Sequence, residues 1–133
     1  MANLSNTVYI AVRTAILTDL TMAALTITRD EYPKGTKPSV SGDIHIGIRG
    51  GKIIRLFGSE LQQYNVKIGV MTRGNATFDT ATAVHAKIRT VLETGFVVAG
   101  GTFIYCLAQN LPEQSDSKPI DYVFADYVLE VQV

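Results

Sequence analysis

Apolar residues fall at every second position from Tyr64 through Val66 and Ile68 to Val70, with Asn65, Lys67 and Gly69 between them. That period predicts a half-buried strand. Arg73, Gly74 and Asn75 interrupt it as turn residues do. The period then changes. Ala81, Val84, Ile88, Val91 and Leu92 recur at three- and four-residue steps, which places them on one face of a helix. Asp79 is positioned to cap the first turn of that helix, and Gly95 to end it in a left-handed conformation. A helix with one apolar stripe has to lie on something, and a sheet containing Tyr64–Val70 is the nearest partner.

The same reading extends along the chain. Tyr9, Val12, Ile16, Leu20 and Ala23 predict a first helix, capped by Ser5 or Asn6 and ending near Met22. Thr14, Thr18 and Thr21 lower its intrinsic propensity, so packing must hold it. Leu25, Ile27 and Arg29 predict a short strand. Pro33, Gly35 and Pro38 mark a loop. Val40, Ile44, Ile46 and Ile48 share one face of a further strand, with Ser41, Asp43, His45 and Arg49 on the other. Gly50-Gly51 has the composition of a tight turn. Ile53, Ile54, Leu56 and Phe57 fit either a returning strand or an ordered loop. Strands are predicted from Thr102 to Ala108 and from Ile120 to Val133, with an exposed polar loop from Asn110 to Pro119 between them. The expected fold is α+β in the order α-β-β-α-β-β. An antiparallel or mixed sheet of about four to six strands carries both helices on one face. The strand connections are short enough that no parallel crossover is required.

Length and composition narrow the picture. At 133 residues the chain is expected to be a single domain spanning residues 1–133. Hydrophobic residues make up 47% and mean hydropathy is +0.18, which argues against disorder. No apolar run approaches the roughly 20 residues of a membrane span, and Met1–Asn6 has no secretory character. Twelve basic residues balance twelve acidic ones, so the basic excess of a dedicated duplex binder is missing.

Few residues suggest bond chemistry. His45 and His85 read as surface or boundary residues, and no His, Cys, Asp and Glu set has metal-ligand spacing. The one cysteine, Cys106, sits in an apolar strand as a small buried hydrophobe and fits a reducing compartment. Arg49-Gly-Gly-Lys52 is glycine-rich and basic, but strand-like sequence on both sides makes it a hairpin tip rather than a phosphate loop. The expectation is therefore no enzyme, no cofactor and no metal. Arg49, Lys52 and Arg55 form the best local basic patch. The final strand is more informative. Val123, Ala125, Tyr127, Leu129, Val131 and Val133 occupy one face, while Tyr122, Phe124 and Val128 make the second face apolar as well. Two helices cannot cover both faces of such a sheet, and an uncovered apolar face marks an interaction surface. Tyr122, Phe124 and Val128 are the candidate subunit interface.

In order and texture the chain resembles the tail terminator (tail completion, or tail-to-head joining) proteins of long-tailed bacteriophages. The resemblance rests on the N-terminal helix with Val12-Arg-Thr-Ala-Ile-Leu17, the Tyr32-Pro-Lys-Gly35 loop leading to Pro38-Ser-Val40, and the strand end Gly69-Val-Met-Thr-Arg73. It continues with the helix Thr82-Ala-Val-His-Ala-Lys-Ile-Arg-Thr-Val-Leu92, a polar-tipped hairpin and the closing Tyr127-Val-Leu-Glu-Val131. No invariant catalytic signature is among these, and the Gly50–Glu60 segment departs from the usual texture. The resemblance implies a homo-oligomeric, hexameric ring that caps the completed tail tube and stops polymerisation. It further implies a virion tail or neck protein, made in the host cytoplasm, that joins the tube protein to the head connector. DNA passes through the lumen without sequence specificity. By position, Arg49, Lys52, Arg55, Gln109, Glu113 and Lys118 are candidate contacts with tube, connector or DNA. Another ring-forming neck or tail component, a head-completion or tube protein, is the alternative. A small α+β ligand-binding domain is a third.

Overall fold

The computed structural model describes residues 4–19, 22, 25–29, 43–72, 78–115 and 121–133. Among the described residues two helices, α1 (Ser5–Leu17) and α2 (Phe78–Thr94), accompany six strands: β1 (Ile27–Arg29), β2 (Asp43–Leu56), β3 (Ser59–Thr72), β4 (Thr102–Ala108), β5 (Glu113–Ser115) and β6 (Asp121–Gln132). The strands form one mixed sheet in the order β1-β2-β3-β6-β4, with β5 also on β6. The fold is α+β, as the periodicities predict. The pairing of β1 with β2 is parallel, Ile27 opposite Ile44, and β3 and β4 run parallel on either side of β6, joined through α2, so two crossovers are needed where none was expected. The expected loop residues Pro33, Gly35 and Pro38 lie outside the described residues, as do Val40 and the expected turn at Arg73–Asn75.

β3 is the middle of the sheet because both its edges are used along their whole length, by β2 and by β6. Even-numbered residues from Gln62 to Val70 are buried on the face beneath the helices. Ile44, Ile46, Val123, Ala125, Tyr127, Leu129 and Val131 join them there in register. The helices complete this core with Val8, Val12 and Ile16 from α1 and Ala81, Val84, Ile88 and Leu92 from α2.

The helix ends differ from the sequence expectation. Neither Ser5 nor Asn6 caps α1. Leu4 occupies that position without a side-chain cap, and its buried N–H donates to the Tyr64 hydroxyl at 2.9 Å. The Asn6 Oδ1 instead accepts from Arg29 Nη1 at 2.6 Å, and the Arg29 guanidinium lies 4.7 Å from the Tyr9 ring centre, which ties β1 to α1. α1 ends at Leu17 rather than near Met22, with the Thr18 hydroxyl donating to the Ala15 carbonyl. Asp79 is the second residue of α2, inside the helix rather than at its cap. Gly95 takes φ +114°, the positive region expected at the helix end.

Both histidines are buried, contrary to the surface assignment. His85 is 1% exposed and its Nε2 donates to the Val123 carbonyl at 2.8 Å, which pins α2 to β6. Val84 and Ile88 bracket it in sequence, so the apolar stripe of α2 is wide enough to take it in. Its Nδ1 has no partner among the described residues. Burial holds its pKa below the ordinary histidine value, and the bond to Val123 opposes that only in part. The unfolded chain therefore binds more protons than the fold at pH values below about 6.5. The stability contributed is complete above that pH and is lost as pH falls towards the depressed folded value. Urea midpoints between pH 7.5 and 5 are expected to decline in the wild type and to flatten in His85→Gln. An unchanged slope in the variant would assign the decline to other groups.

Candidate assembly surface

The largest departure from the sequence reading is in the segment 50–60. Gly50-Gly51 is not a turn. β2 runs on through it and reverses at Phe57-Gly58, with Leu56 opposite Ser59 and Gly58 at φ +80°. The ladder shifts between Gly50 and Ile53, where β2 holds one residue more than β3. This is a bulge, and Gly51 is suited to it: a Cβ there would lie 2.9 Å from the Gln63 carbonyl oxygen. The extra residue exchanges the faces of β2 beyond it. The result is an exposed arm, residues 51–58, made of the outer strand and the turn of the β2–β3 hairpin, while the returning residues Leu61 and Gln62 stay in the sheet on β6.

The bulge also separates the basic residues. Arg49 lies before it, on the sheet face away from the helices. There it joins His45, Asn65, Lys67, Tyr122 and Asp126 around a shallow depression of about 230 Å³. Arg55 lies beyond it, opposite Glu60 and on the other side of the arm, with Nη1 3.7 Å from the Glu60 carboxyl. Lys52 sits within the bulge. The three are strung along one strand and do not form a single patch.

Glu60 anchors the base of the arm. Its Oε2 accepts from Gln62 Nε2 at 2.8 Å, and Gln62 Oε1 accepts from the Tyr64 hydroxyl, which in turn receives the Leu4 N–H. Glu60 also exchanges backbone bonds with Val133. All three side chains are buried, at 4%, 5% and 4% exposure for Glu60, Gln62 and Tyr64. A polar chain therefore runs from the start of α1 to the root of the arm.

Tyr122, Phe124 and Val128 stand on the outer face of β6 and are half-buried. Tyr122 lies against Gly69, where an added Cβ would meet its ring at 2.4 Å. Phe124 stacks on Tyr122 at 6.0 Å, and Lys67 Nζ sits 4.6 Å from the Phe124 ring centre. Further along, Gln63, Tyr105 and Glu130 form a hydrogen-bonded group. The outer face is thus aromatic and charged by turns rather than continuously apolar. Much of the exposed apolar surface lies elsewhere, in Ile53, Leu56 and Phe57 of the arm and in Ile104, Leu107 and Leu111 near the β4 edge.

The expected loop 110–119 is partly strand, since β5 pairs with β6 from Glu113 to Ser115. Asn110 holds the bend before it, its Oδ1 accepting from Asp126 N at 2.8 Å, and Gln109 N donates to the Asp126 carbonyl. Gln109 and Glu113 are exposed on either side of that bend, and Lys118 lies outside the described residues. Between the bend and α2 is a largely apolar groove of about 240 Å³. Ala86, Ala108, Leu111, Pro112, Ala125 and Tyr127 line it together with His85 and Arg89. The Arg89 charge is met by Glu93, whose Oε1 accepts from Nε at 2.9 Å while Oε2 accepts from Ala108 N at 3.0 Å. These bonds, the one from Ala108 foremost, hold the Glu93 pKa below its usual value. Cys106, two residues before Ala108 on β4, is buried, and burial pushes its thiol up to about 12. No group of three or more potential metal ligands occurs among the described residues, and no described helix is long and apolar enough to cross a membrane.

These features define an α+β chain with both helices on one face of a mixed sheet and an exposed strand and turn at one end of it. No family model matches the sequence, and no curated protein is similar to it. Among solved structures, a chain from the virion of a native gene transfer agent particle superposes with a TM-score of 0.79 at 17% identity, covering 100% of both chains. A second solved chain superposes with a TM-score of 0.63 at 13% identity, covering 96% of this chain and 95% of that one. At these identities the likeness establishes the fold.

Proposed function

We propose that the chain is a virion structural protein, and specifically a tail terminator. In this role it caps the completed tail tube as a ring, stops further polymerisation and presents a surface to the head connector. The observation that carries the reading is the end-to-end match of fold with a chain of a gene transfer agent virion. The order of elements, with the helix following the strand that ends Gly69-Val-Met-Thr72, is the order on which the resemblance to tail terminators rests. The work assigned to it is steric and interfacial. An exposed apolar strand and turn and a separate apolar groove on one small chain suit a protein that acts through contacts.

Purified tail tubes with free tube subunits provide the test. The chain is expected to bind one tube end and halt elongation there. Tubes that keep growing in its presence would sink the terminator assignment. Binding along the whole tube, or only to the head vertex, would assign it instead to another component of the particle.

A further inference from the structure

We infer that the depression on the outer sheet face is an oxyanion site that takes a phosphate group: the Arg49 guanidinium and the Lys67 ammonium clasp it, and the Asn65 amide and Tyr122 hydroxyl complete the set of donors. The inference comes from the geometry of that face alone and does not rest on the proposed function.

Two glycines on adjacent strands shape the hollow, Gly47 opposite Lys67 and Gly69 opposite His45. At Gly69 the missing Cβ lets the Tyr122 ring lie across β3, where it meets the His45 ring at 6.5 Å, edge to face. A hydroxyl that belongs to β6 is thereby carried over towards β2. At Gly47 nothing moves in. The nearest atom to a Cβ built there is 3.9 Å away, so the floor stays open. The volume enclosed is about 230 Å³.

The donors around this hollow are unspent. Asp126 stands opposite Lys67 in register, yet the Lys67 ammonium turns to the Phe124 ring at 4.6 Å. Among the described residues Arg49 and Lys67 enter no ion pair, and the Asn65 amide and the Tyr122 hydroxyl make no hydrogen bond. Burial, and after it the nearby Asp126, hold the Tyr122 pKa above the ordinary tyrosine value, so the hydroxyl keeps its proton at neutral pH. Arg49 lies diagonal to Lys67 across the β2–β3 pair. Diagonal neighbours on a sheet face stand roughly 7–8 Å apart. That span leaves room for one oxyanion with charge-assisted bonds of roughly 2.8 Å on either side. Two cations against the one carboxylate of the lining, Asp126, leave the hollow net positive. The donors come from three strands and from opposite sides. That arrangement suits the several oxygens of a tetrahedral phosphate better than the two coplanar oxygens of a carboxylate.

Amide NMR of the isotope-labelled chain at fixed ionic strength tests this, with inorganic phosphate, dimethyl phosphate and acetate as probes. Inorganic phosphate is expected to shift the Gly47, Lys67 and Tyr122 amides saturably, and to bind at least about tenfold more tightly than acetate. Dimethyl phosphate binding too would assign the site to a phosphodiester backbone. Its failure to bind would assign the site to free phosphate or a monoester, and either result keeps the phosphate site. Arg49→Gln and Lys67→Gln are each expected to weaken phosphate binding about tenfold. Gly47→Val should abolish it by filling the floor. A Cβ at that position meets only ordinary contacts, so the thermal midpoint should stay that of the wild type. Acetate binding as tightly as phosphate would overturn the inference in favour of a protein carboxylate. So would shifts that never saturate, or phosphate binding unchanged in both charge variants.

Discussion

Ile68→Ala is expected to destabilise the fold by about 3–4 kcal/mol. Ile68 is fully buried at the middle of β3, paired with Ile46 of β2 and Ala125 of β6 on the face that α1 and α2 cover. Truncation to alanine loses the transfer free energy of three carbons and leaves a cavity that strands bonded on both sides cannot close. Total stability for a domain of this kind is on the order of 5–15 kcal/mol, so the loss is a large share of it. The thermal midpoint should fall by about 10 °C or more. Ile68→Val, which removes one methylene and keeps the β-branched shape, should cost only about 1 kcal/mol. Equal losses for the two variants in urea unfolding would mean that the site is not packed as described.

The polar chain at the root of the arm gives the second large effect. Glu60→Ala removes the acceptor for Gln62 Nε2 in a buried setting, and the expected cost is about 2–3 kcal/mol. The Arg55 contact adds little, because that side chain is 82% exposed and its charge is solvated in any case. The cause is therefore the amide left behind. A paired replacement distinguishes the explanations. Glu60→Leu with Gln62→Leu removes this donor and acceptor together and is expected to recover part of the loss, the remainder being the buried Tyr64 hydroxyl, whose acceptor Gln62 Oε1 goes with it. If the double variant is less stable than Glu60→Ala, the network contributes through geometry as well as through satisfied bonds. Hydrogen exchange of the arm amides, expected to quicken in Glu60→Ala, reports whether the root also orders the arm.

The sheet and its helices were legible because their periods are clean. Tyr64–Val70 alternates strictly, and Ala81 to Leu92 keeps helical spacing without a break, so both elements and their buried faces were readable from residue order. Thr102–Ala108 emerged with its true bounds because glycines precede it and polar residues follow. The arm was not legible for a physical reason. Gly50-Gly51 has the composition of a hairpin turn, yet it serves a bulge, and the face exchange it causes makes Ile53, Ile54 and Leu56 look like an irregular apolar run. The Phe57-Gly58 pair was the available turn signal. His85 was misplaced because a polar residue beside an apolar stripe reads as boundary until the facing carbonyl, Val123, is known. The candidate interface on Tyr122, Phe124 and Val128 was read from one strand alone. Lys67 and Glu130, which intersperse charge on that face, come from β3 and from β6 itself, and only the register shows how they interleave. The apolar groove was hidden for a similar reason, since α2, the bend after β4 and β6 contribute to it from distant parts of the sequence.

The place of β6 in the sheet also sets a timetable. It is the last strand in the chain, yet it lies between β3 and β4 and is the only strand that pairs with β4 or β5 among the described residues. The hairpin of β2 and β3 can close as soon as Thr72 is made. The sheet cannot, because Leu61 has to await Gln132. At roughly 5–20 residues per second, the sixty residues from Thr72 to Gln132 take about 3–12 s to synthesise. For that interval β3 exposes an unpaired edge and one apolar face, the condition in which nascent strands join the wrong partner. Slow, non-local closure of this kind makes yield in the cell depend on whatever shields the half-built sheet on the ribosome. Moving β6 ahead of α1 by circular permutation would shorten the wait while asking for the same strand neighbours.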